Sequence, residues 1–194
     1  MKKLNLFLTL FLVFTFANLS IGQITGTGHD FSGNAWANGE ICIVCHTPHN
    51  GIASDQAPLW NHEITTATYT LYDNTTSSTF NATTGQPAAN SLLCLSCHDG
   101  TIALENFGGV DNGTNYIPGG ANLGINLSND HPIGFTYDAA LVTADGGLNA
   151  PPAALLFAGR MECASCHNVH DNTHGHFLRM PNAGSALCLT CHDK

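Results

Sequence analysis

The chain has 194 residues, of which fourteen are Asp or Glu and only five are Lys or Arg, so its formal net charge is −9. A chain so poor in basic residues cannot neutralise a phosphate backbone, which excludes nucleic acid as a partner. Charged residues make up only 10% of the sequence, and a surface with so little charge suits a protein that packs against copies of itself.

The chain begins with the pattern of an export signal. A charged start, Met1-Lys2-Lys3, precedes an apolar stretch over residues 4–17 and small residues before Gln23. We predict a cleaved signal peptide over residues 1–22 and a mature domain over residues 23–194, which keeps three basic residues against fourteen acidic ones, a net charge of −11. An uncleaved membrane anchor is the alternative, although a spanning helix requires roughly 20 mostly apolar residues. No later stretch is long enough to span a membrane, so we expect an exported protein without a membrane span after cleavage.

Four Cys-x-x-Cys-His motifs, numbered first to fourth along the chain, use all eight cysteines. Residues three and four apart on a helical turn share a face, so both cysteines can bond to one side of a porphyrin while the histidine ligates its iron. This pattern predicts four covalently bound haem c groups. The haem-bonding cysteines are Cys42 and Cys45, Cys94 and Cys97, Cys163 and Cys166, and Cys188 and Cys191. The proximal iron ligands are His46, His98, His167 and His192.

Two alternatives explain paired cysteines without haem. Two Cys-x-x-Cys pairs can form a zinc site with four thiolate ligands, and eight cysteines in a secreted chain can form four disulfides. Neither alternative requires a histidine after each pair, and all four pairs have one. The pattern therefore favours haem.

The second axial ligand decides what a haem iron can do, because an open position allows chemistry on small molecules and a filled one leaves electron transfer. Seven histidines remain for the second axial positions of four irons, so there are more histidines than positions to fill. The predicted distal ligands are His29, His49, His131 and His170. His62 is held in reserve, because packing beside Trp60 explains it equally well. His174 and His176 lie in a polar loop, where solvation explains them.

Two of the predicted distal histidines follow a proximal histidine by three residues, His49 after His46 and His170 after His167. At that spacing neither can reach the far face of its own haem. Each must reach a neighbouring haem, which brings two haems close together. The third and fourth motifs begin only 25 residues apart, and we predict that His170 bridges their two haems.

Regular secondary structure is predicted to be sparse. Short helices are expected at the haem motifs and over residues 138–142 and 185–191, with an exposed loop or short hairpin over residues 65–84 and a loop over residues 108–124. The fold class is therefore mostly irregular, with short α-helices at the haem motifs of a multihaem cytochrome c. Because the haems must supply much of the buried apolar surface, we expect folding to depend on the cofactor.

Beyond the haem motifs, several segments carry a family resemblance. They are His29-Asp30-Phe31-Ser32, Cys42 to His49 with Thr47-Pro48, Ala57-Pro58-Leu59-Trp60-Asn61, Cys94 to Thr101, Asp130-His131-Pro132 and Phe177-Leu178-Arg179-Met180. Together they resemble the OmcE-like tetrahaem cytochromes, which polymerise outside the cell into haem-threaded filaments, and residues 163–192 look like a doubled Cys-x-x-Cys-His unit. The resemblance implies a coil fold wrapped around a continuous haem chain, with two histidines on every iron. It also implies that a neighbouring subunit donates one distal histidine, for which His29 is the first candidate.

These features predict electron transfer and no enzymatic reaction. The leading hypothesis is a subunit of an extracellular filament, or nanowire, in which copies of the chain pass electrons along stacked haems to an acceptor outside the cell. Its other partners are redox donor and acceptor proteins. A soluble periplasmic shuttle requires the same haems but no self-assembly. A multihaem reductase is the third hypothesis, and the surplus of histidines argues against the open iron position that it needs.

Overall fold

The computed structural model describes residues 23–52, 57 and 59–193, so the predicted signal peptide lies outside the described residues. Most of this chain is irregular and its regular elements are short. The α-helices are Ala89–His98, Ala139–Asp145, Cys163–Cys166 and Ala186–Leu189, and single 3-10 turns lie at Ala35–Ala37, Gly119–Ala121, Ala153–Leu155 and Ala183–Ser185. The strands Phe135–Thr136 and Arg160–Met161 form a two-stranded antiparallel sheet. No helix within the described ranges is long and apolar enough to cross a membrane.

The Ala89–His98 helix carries the second haem motif at its C-terminal end. Ser91 and Leu95, four residues apart, are both buried, which is the spacing of one helix face. Leu95 packs with Tyr69 and Leu127 in an apolar cluster. Burial of a leucine side chain stabilises a fold by roughly 1.5–3 kcal/mol, so this cluster anchors the helix of the second motif.

Another apolar cluster surrounds the small sheet. Phe135 and Met161 are partners in the antiparallel register, and both are buried together with Tyr137 and Leu141. Residues 142–159 connect the two parts of this cluster, so the cluster closes that connection onto the segment that leads into the third motif.

The helix Ala139–Asp145 confirms the helix predicted over residues 138–142. It begins where the side chain of Asp138 accepts a hydrogen bond from the backbone N–H of Leu141 at 2.9 Å, which satisfies a donor left free at a helix N-terminus. It ends at Gly146, whose φ of 69° is a left-handed conformation that glycine adopts without steric cost.

The third motif is joined to the second by a buried polar junction, which we define as Ser91, Arg160 and Glu162. The Ser91 hydroxyl donates to Glu162 Oε2 at 2.5 Å and accepts from the backbone N–H of Cys163 at 3.0 Å. Glu162 is 2% exposed, and its Oε1 accepts from Arg160 Nε at 2.9 Å. The junction therefore ties the helix of the second motif to the first residue of the helix Cys163–Cys166.

Part of the segment over residues 65–84 is not the exposed loop that the sequence predicted. Thr65 and Tyr69 are each only 4% exposed, and both side chains donate hydrogen bonds to the buried carboxylate of Asp99 at 2.7 Å. The exposed-loop prediction is wrong there because Thr and Tyr hydroxyls are buried when a distant part of the chain supplies an acceptor, and composition cannot show that acceptor.

Candidate haem-binding site

Each haem motif contains a helical turn. The second motif lies within a regular helix, and in the other three the histidine N–H donates to the carbonyl of the first cysteine. These hydrogen bonds measure 2.8 Å for His46 and Cys42, 3.2 Å for His167 and Cys163, and 2.9 Å for His192 and Cys188. Such a turn places both sulfurs and the imidazole on one face, as the spacing predicts. All eight cysteines are free, so none of them is in a disulfide.

Three proximal histidine rings lie beside the ring of a predicted distal histidine from a distant part of the same chain. The distances between ring centres are 6.1 Å for His46 and His170, 6.0 Å for His98 and His29, and 6.3 Å for His192 and His131. The structure therefore brings together histidines of the first, second and fourth motifs with three of the four predicted distal ligands.

These distances fit a pair of imidazoles that ligate one metal ion. Each ligating nitrogen lies about 2 Å from such a metal and about 1.1 Å from the centre of its own ring, so the two ring centres come about 6 Å apart. Within the described ranges, no group of three or more His, Cys, Asp or Glu side chains comes together as a protein-only metal-ion site. The residues present thus fit a haem iron held between two histidines, with adjacent cysteines to bond the porphyrin.

The observed pairing differs from two of the expectations. His170, predicted to bridge the haems of the third and fourth motifs, lies beside His46 of the first motif. His29, the first candidate for donation to a neighbouring subunit, lies beside His98 of its own chain. One backbone hydrogen bond helps to explain both positions, because the N–H of Gln23 donates to the carbonyl of His170 at 3.1 Å. That bond joins the N-terminal segment to the turn that follows the third motif.

One proximal and one distal histidine are left unmatched within a single chain. In the part of the chain that the structure describes, His167 of the third motif forms no ring pair with a predicted distal histidine, unlike the other three proximal histidines. His49 is exposed, and among the described residues it likewise has no ring partner of this kind. Every other predicted ligand has a partner in the same chain.

The reserve ligand, His62, is placed differently from the others. It is 1% exposed, and both ring nitrogens face backbone carbonyls, Nδ1 at 2.8 Å from Glu63 and Nε2 at 3.1 Å from Ala103. A neutral imidazole can donate to only one of these carbonyls, and Nε2 also lies 3.5 Å from Sγ of Cys97. The burial of the ring beside Trp60 and Ala103 supports the packing explanation. His174 and His176 are exposed.

Backbone carbonyls orient two of the proximal rings. Nδ1 of His98 lies 2.7 Å from the carbonyl of Ala121, and Nδ1 of His167 lies 2.9 Å from the carbonyl of His176. A hydrogen bond of this kind makes Nδ1 the protonated nitrogen and leaves Nε2 as the metal ligand. The segments 119–121 and 174–176 therefore help to set the tautomer of these rings.

Burial keeps His29 and Cys97 uncharged. Burial, and then the charge of the neighbouring His98, lowers the pKa of His29 to about 4, so its imidazole is in the neutral form that ligates metals. Burial, and then the nearby Cys45 and Asp99, raises the pKa of Cys97 to about 12. The thiol of Cys97 is thus protonated at neutral pH in a chain without haem.

The proximity of cysteines from different motifs indicates the order of the motifs in space. Cys45 of the first motif lies near Cys97 of the second, and Cys94 of the second interacts with Cys163 of the third. Cys166 lies near both cysteines of the fourth motif. The motifs therefore follow one another in space in the order in which they occur along the chain.

Replacement of His131 by alanine is expected to convert one low-spin iron into a high-spin iron without loss of haem, because the ring beside His192 is removed while the cysteines of the fourth motif remain. Absorbance and electron paramagnetic resonance spectra of the purified protein measure this change, and added imidazole should reverse it. The variant His174→Ala removes an exposed histidine and should leave the spectra as they are. Unchanged spectra in His131→Ala would contradict the assignment of His131 as a ligand.

A comparison with known protein families matches residues 157–194 to the doubled CXXCH motif. The matched region contains the third and fourth motifs, and a doubled motif of this kind is typical of multihaem c-type cytochromes, which bind haem covalently and transfer electrons. A comparison with curated proteins found no match to the chain.

Proposed function

We propose that this multihaem c-type cytochrome holds four haems, each between two histidines, and conducts electrons as one subunit of an extracellular filament. When bound, haem c supplies one-electron exchange between the ferric and ferrous states of its iron. The chain's own part is to bond the porphyrins through its cysteines, to fill both axial positions and to set the distance between successive motifs. Filled axial positions leave no open site for a small substrate, so we assign electron transfer and no enzymatic reaction.

The ring pairs support the ligation part of the proposal. Three of them form within one chain, at ring-centre distances of 6.0 to 6.3 Å. Each pair joins two segments that are distant in the sequence, so every such pair brings two separate parts of the chain together. This arrangement supports a fold wrapped around its haems, in which the cofactors replace the apolar core that the short helices do not provide.

The filament part of the proposal rests on His49 and His167, the two histidines without a ring pair among the described residues. In a polymer, His49 of one copy would ligate the iron at the third motif of the next copy. The same two surfaces are then used at every junction, and a head-to-tail contact that does not close into a ring generates a filament. Within each chain, the second motif lies between the first and the third motifs. His49 follows the first motif, so its bond to the third motif of the next copy would continue the row of haems from copy to copy.

The surroundings of His49 suit a contact between copies. Ile52 and Leu59 are 41% and 52% exposed, and the backbone N–H of Ile52 donates to the carbonyl of Trp60, which holds the two segments together. Exposed apolar side chains that lie together mark interaction sites. In the described residues both arginines bond within the chain, Arg160 to Glu162 and Arg179 to the carbonyl of Ala164.

The test of this proposal is the state of assembly of His49→Ala. Cells that produce the wild-type protein should carry thin surface filaments that contain it, and cells that produce His49→Ala should carry none, since the third-motif iron of each copy loses its second histidine. The purified variant should be a monomer with one high-spin iron. Negative-stain images of sheared surface material, size-exclusion elution and absorbance spectra measure these outcomes.

The matched control is His174→Ala, which removes another exposed histidine and should still form filaments. A wild-type protein that stays monomeric at high concentration, with every iron six-coordinate, would contradict the filament and indicate the soluble periplasmic shuttle. Filaments of His49→Ala with unchanged spectra would contradict the role of His49 while leaving the filament itself in place.

A further inference from the structure

Asp99 is a buried carboxylate beside the second motif. It directly follows the proximal ligand His98 and is 4% exposed. Its backbone N–H donates to the carbonyl of Leu95 at 2.9 Å, so it continues the helix that carries the motif. Nothing in the ligation of haem requires an acidic side chain at this position.

The Asp99 side chain accepts four hydrogen bonds. Oδ1 accepts from the backbone N–H and the hydroxyl of Thr101, both at 2.7 Å. Oδ2 accepts from the hydroxyls of Thr65 and Tyr69, both at 2.7 Å. An ionised carboxylate accepts hydrogen bonds at both oxygens and donates none, and these donors satisfy it completely. Burial, together with the neighbouring Asp99 charge, raises the pKa of the Tyr69 phenol, so that hydroxyl remains a donor.

Among the residues that the structure describes, no basic side chain forms an ion pair with Asp99. The salt bridge found within the described ranges is that between Arg160 and Glu162. Arg179, the other arginine, donates to the carbonyl of Ala164 and lies over the ring of Phe157. Asp99 is therefore stabilised by neutral dipoles alone, whereas the buried carboxylate of Glu162 has a guanidinium partner.

An uncompensated buried charge acts on neighbouring groups through a medium of low effective dielectric constant, where its field is far less screened than at the surface. The charge of Asp99 lies beside the attachment point of the second motif, because Asp99 directly follows Cys97 and His98 in the chain. A negative charge favours the ferric over the ferrous state of a nearby iron, since reduction adds one negative charge to the site. Proteins set the reduction potential of a haem in part through burial and hydrogen bonding around an axial ligand.

We propose that Asp99 is a positioning residue that lowers the reduction potential of the haem held by the second motif, an inference that rests on haem attachment at that motif. It acts through its fixed charge, which would lower the potential at the second motif relative to the same site without that charge. With haem bound there, the electron would arrive from one neighbouring motif and leave to another, and the charge of Asp99 would favour the oxidised form.

The variant Asp99→Asn tests the proposal, because it removes the charge and keeps the size of the side chain. A spectroelectrochemical titration of the purified holoprotein should show one of the four waves moved to a more positive potential, with the other waves moved less. The matched control is Asp111→Asn, which removes the same charge from an exposed position and should leave all waves within the error of the fit. An unmoved wave, a uniform shift of all waves or a shift to more negative potential in Asp99→Asn would overturn the proposal.

A second variant, Tyr69→Phe, tests the role of Asp99 if Asp99→Asn does not fold. It removes one donor from the carboxylate and keeps the charge, so the same wave should stay at its wild-type position or move to a more negative potential. A move of that wave to more positive potential in Tyr69→Phe would overturn the proposal. Free thiols at Cys94 and Cys97 in the intact mass of the wild-type protein would instead overturn haem attachment at the second motif, which is a different failure from an unshifted wave.

Discussion

Replacement of Cys94 and Cys97 together by serine is expected to lower the haem content by one per chain and to destabilise the folded state by more than about 4 kcal/mol. The motif lies at the end of the helix Ala89–His98, whose buried Ser91 and Leu95 contact other parts of the chain. A haem that is bound only by the folded chain stabilises that state. Intact mass and haemochrome absorbance count the haems, and guanidinium unfolding followed by circular dichroism measures stability.

The control for this result is the same double replacement in the fourth motif, at Cys188 and Cys191. The helix Ala186–Leu189 has no buried residue, so this variant should also lose one haem but should lose much less stability. An equal loss of stability in the two variants would show that attachment itself, and not the position of the second motif in the fold, decides the effect.

Replacement of Glu162 by alanine is expected to destabilise the protein by about 2–4 kcal/mol, because removal of one partner from a buried ion pair leaves the other groups unpaired. Arg160 would lose its carboxylate, and the Ser91 hydroxyl would lose the acceptor at 2.5 Å. Arg160 keeps a hydrogen bond to the carbonyl of Gly134 and is partly exposed, so the loss should not reach the upper values seen for fully buried pairs. Denaturant unfolding of the holoprotein measures the difference.

The matched control is Glu40→Ala, which removes an exposed carboxylate and should change the free energy of unfolding by less than about 0.5 kcal/mol. Because the polar junction of Ser91, Arg160 and Glu162 joins the second and third motifs, Glu162→Ala should also loosen the packing of these two motifs against each other. Stability equal to that of Glu40→Ala would show that the junction is not a structural link.

The site was predictable from the sequence where its geometry is local. A cysteine, a second cysteine three residues later and a histidine after it meet on one helical turn whatever surrounds them, and the structure shows that turn in all four motifs. The helix Ala139–Asp145 was predictable for the same reason, since Asp138 and Gly146 are local signals for its start and end.

Pairing between distant segments was not predictable. Nothing in the sequence around His170 shows that its ring lies beside His46, or that His29 lies beside His98. Each of these contacts depends on the path of long irregular segments, whose direction is set by many turns and by single hydrogen bonds such as the one between Gln23 and His170.

The sequence by itself determined the chemistry of this protein, because the haem motifs and the supply of histidines are properties of residue type and short spacing. Only the tertiary structure decided which histidines share a ring pair, which two form no such pair among the described residues, and that Asp99 is buried. The physical reason is that burial and ligand pairing join residues far apart in the chain. Such contacts are decided by the packing of the whole molecule and not by any short segment of it.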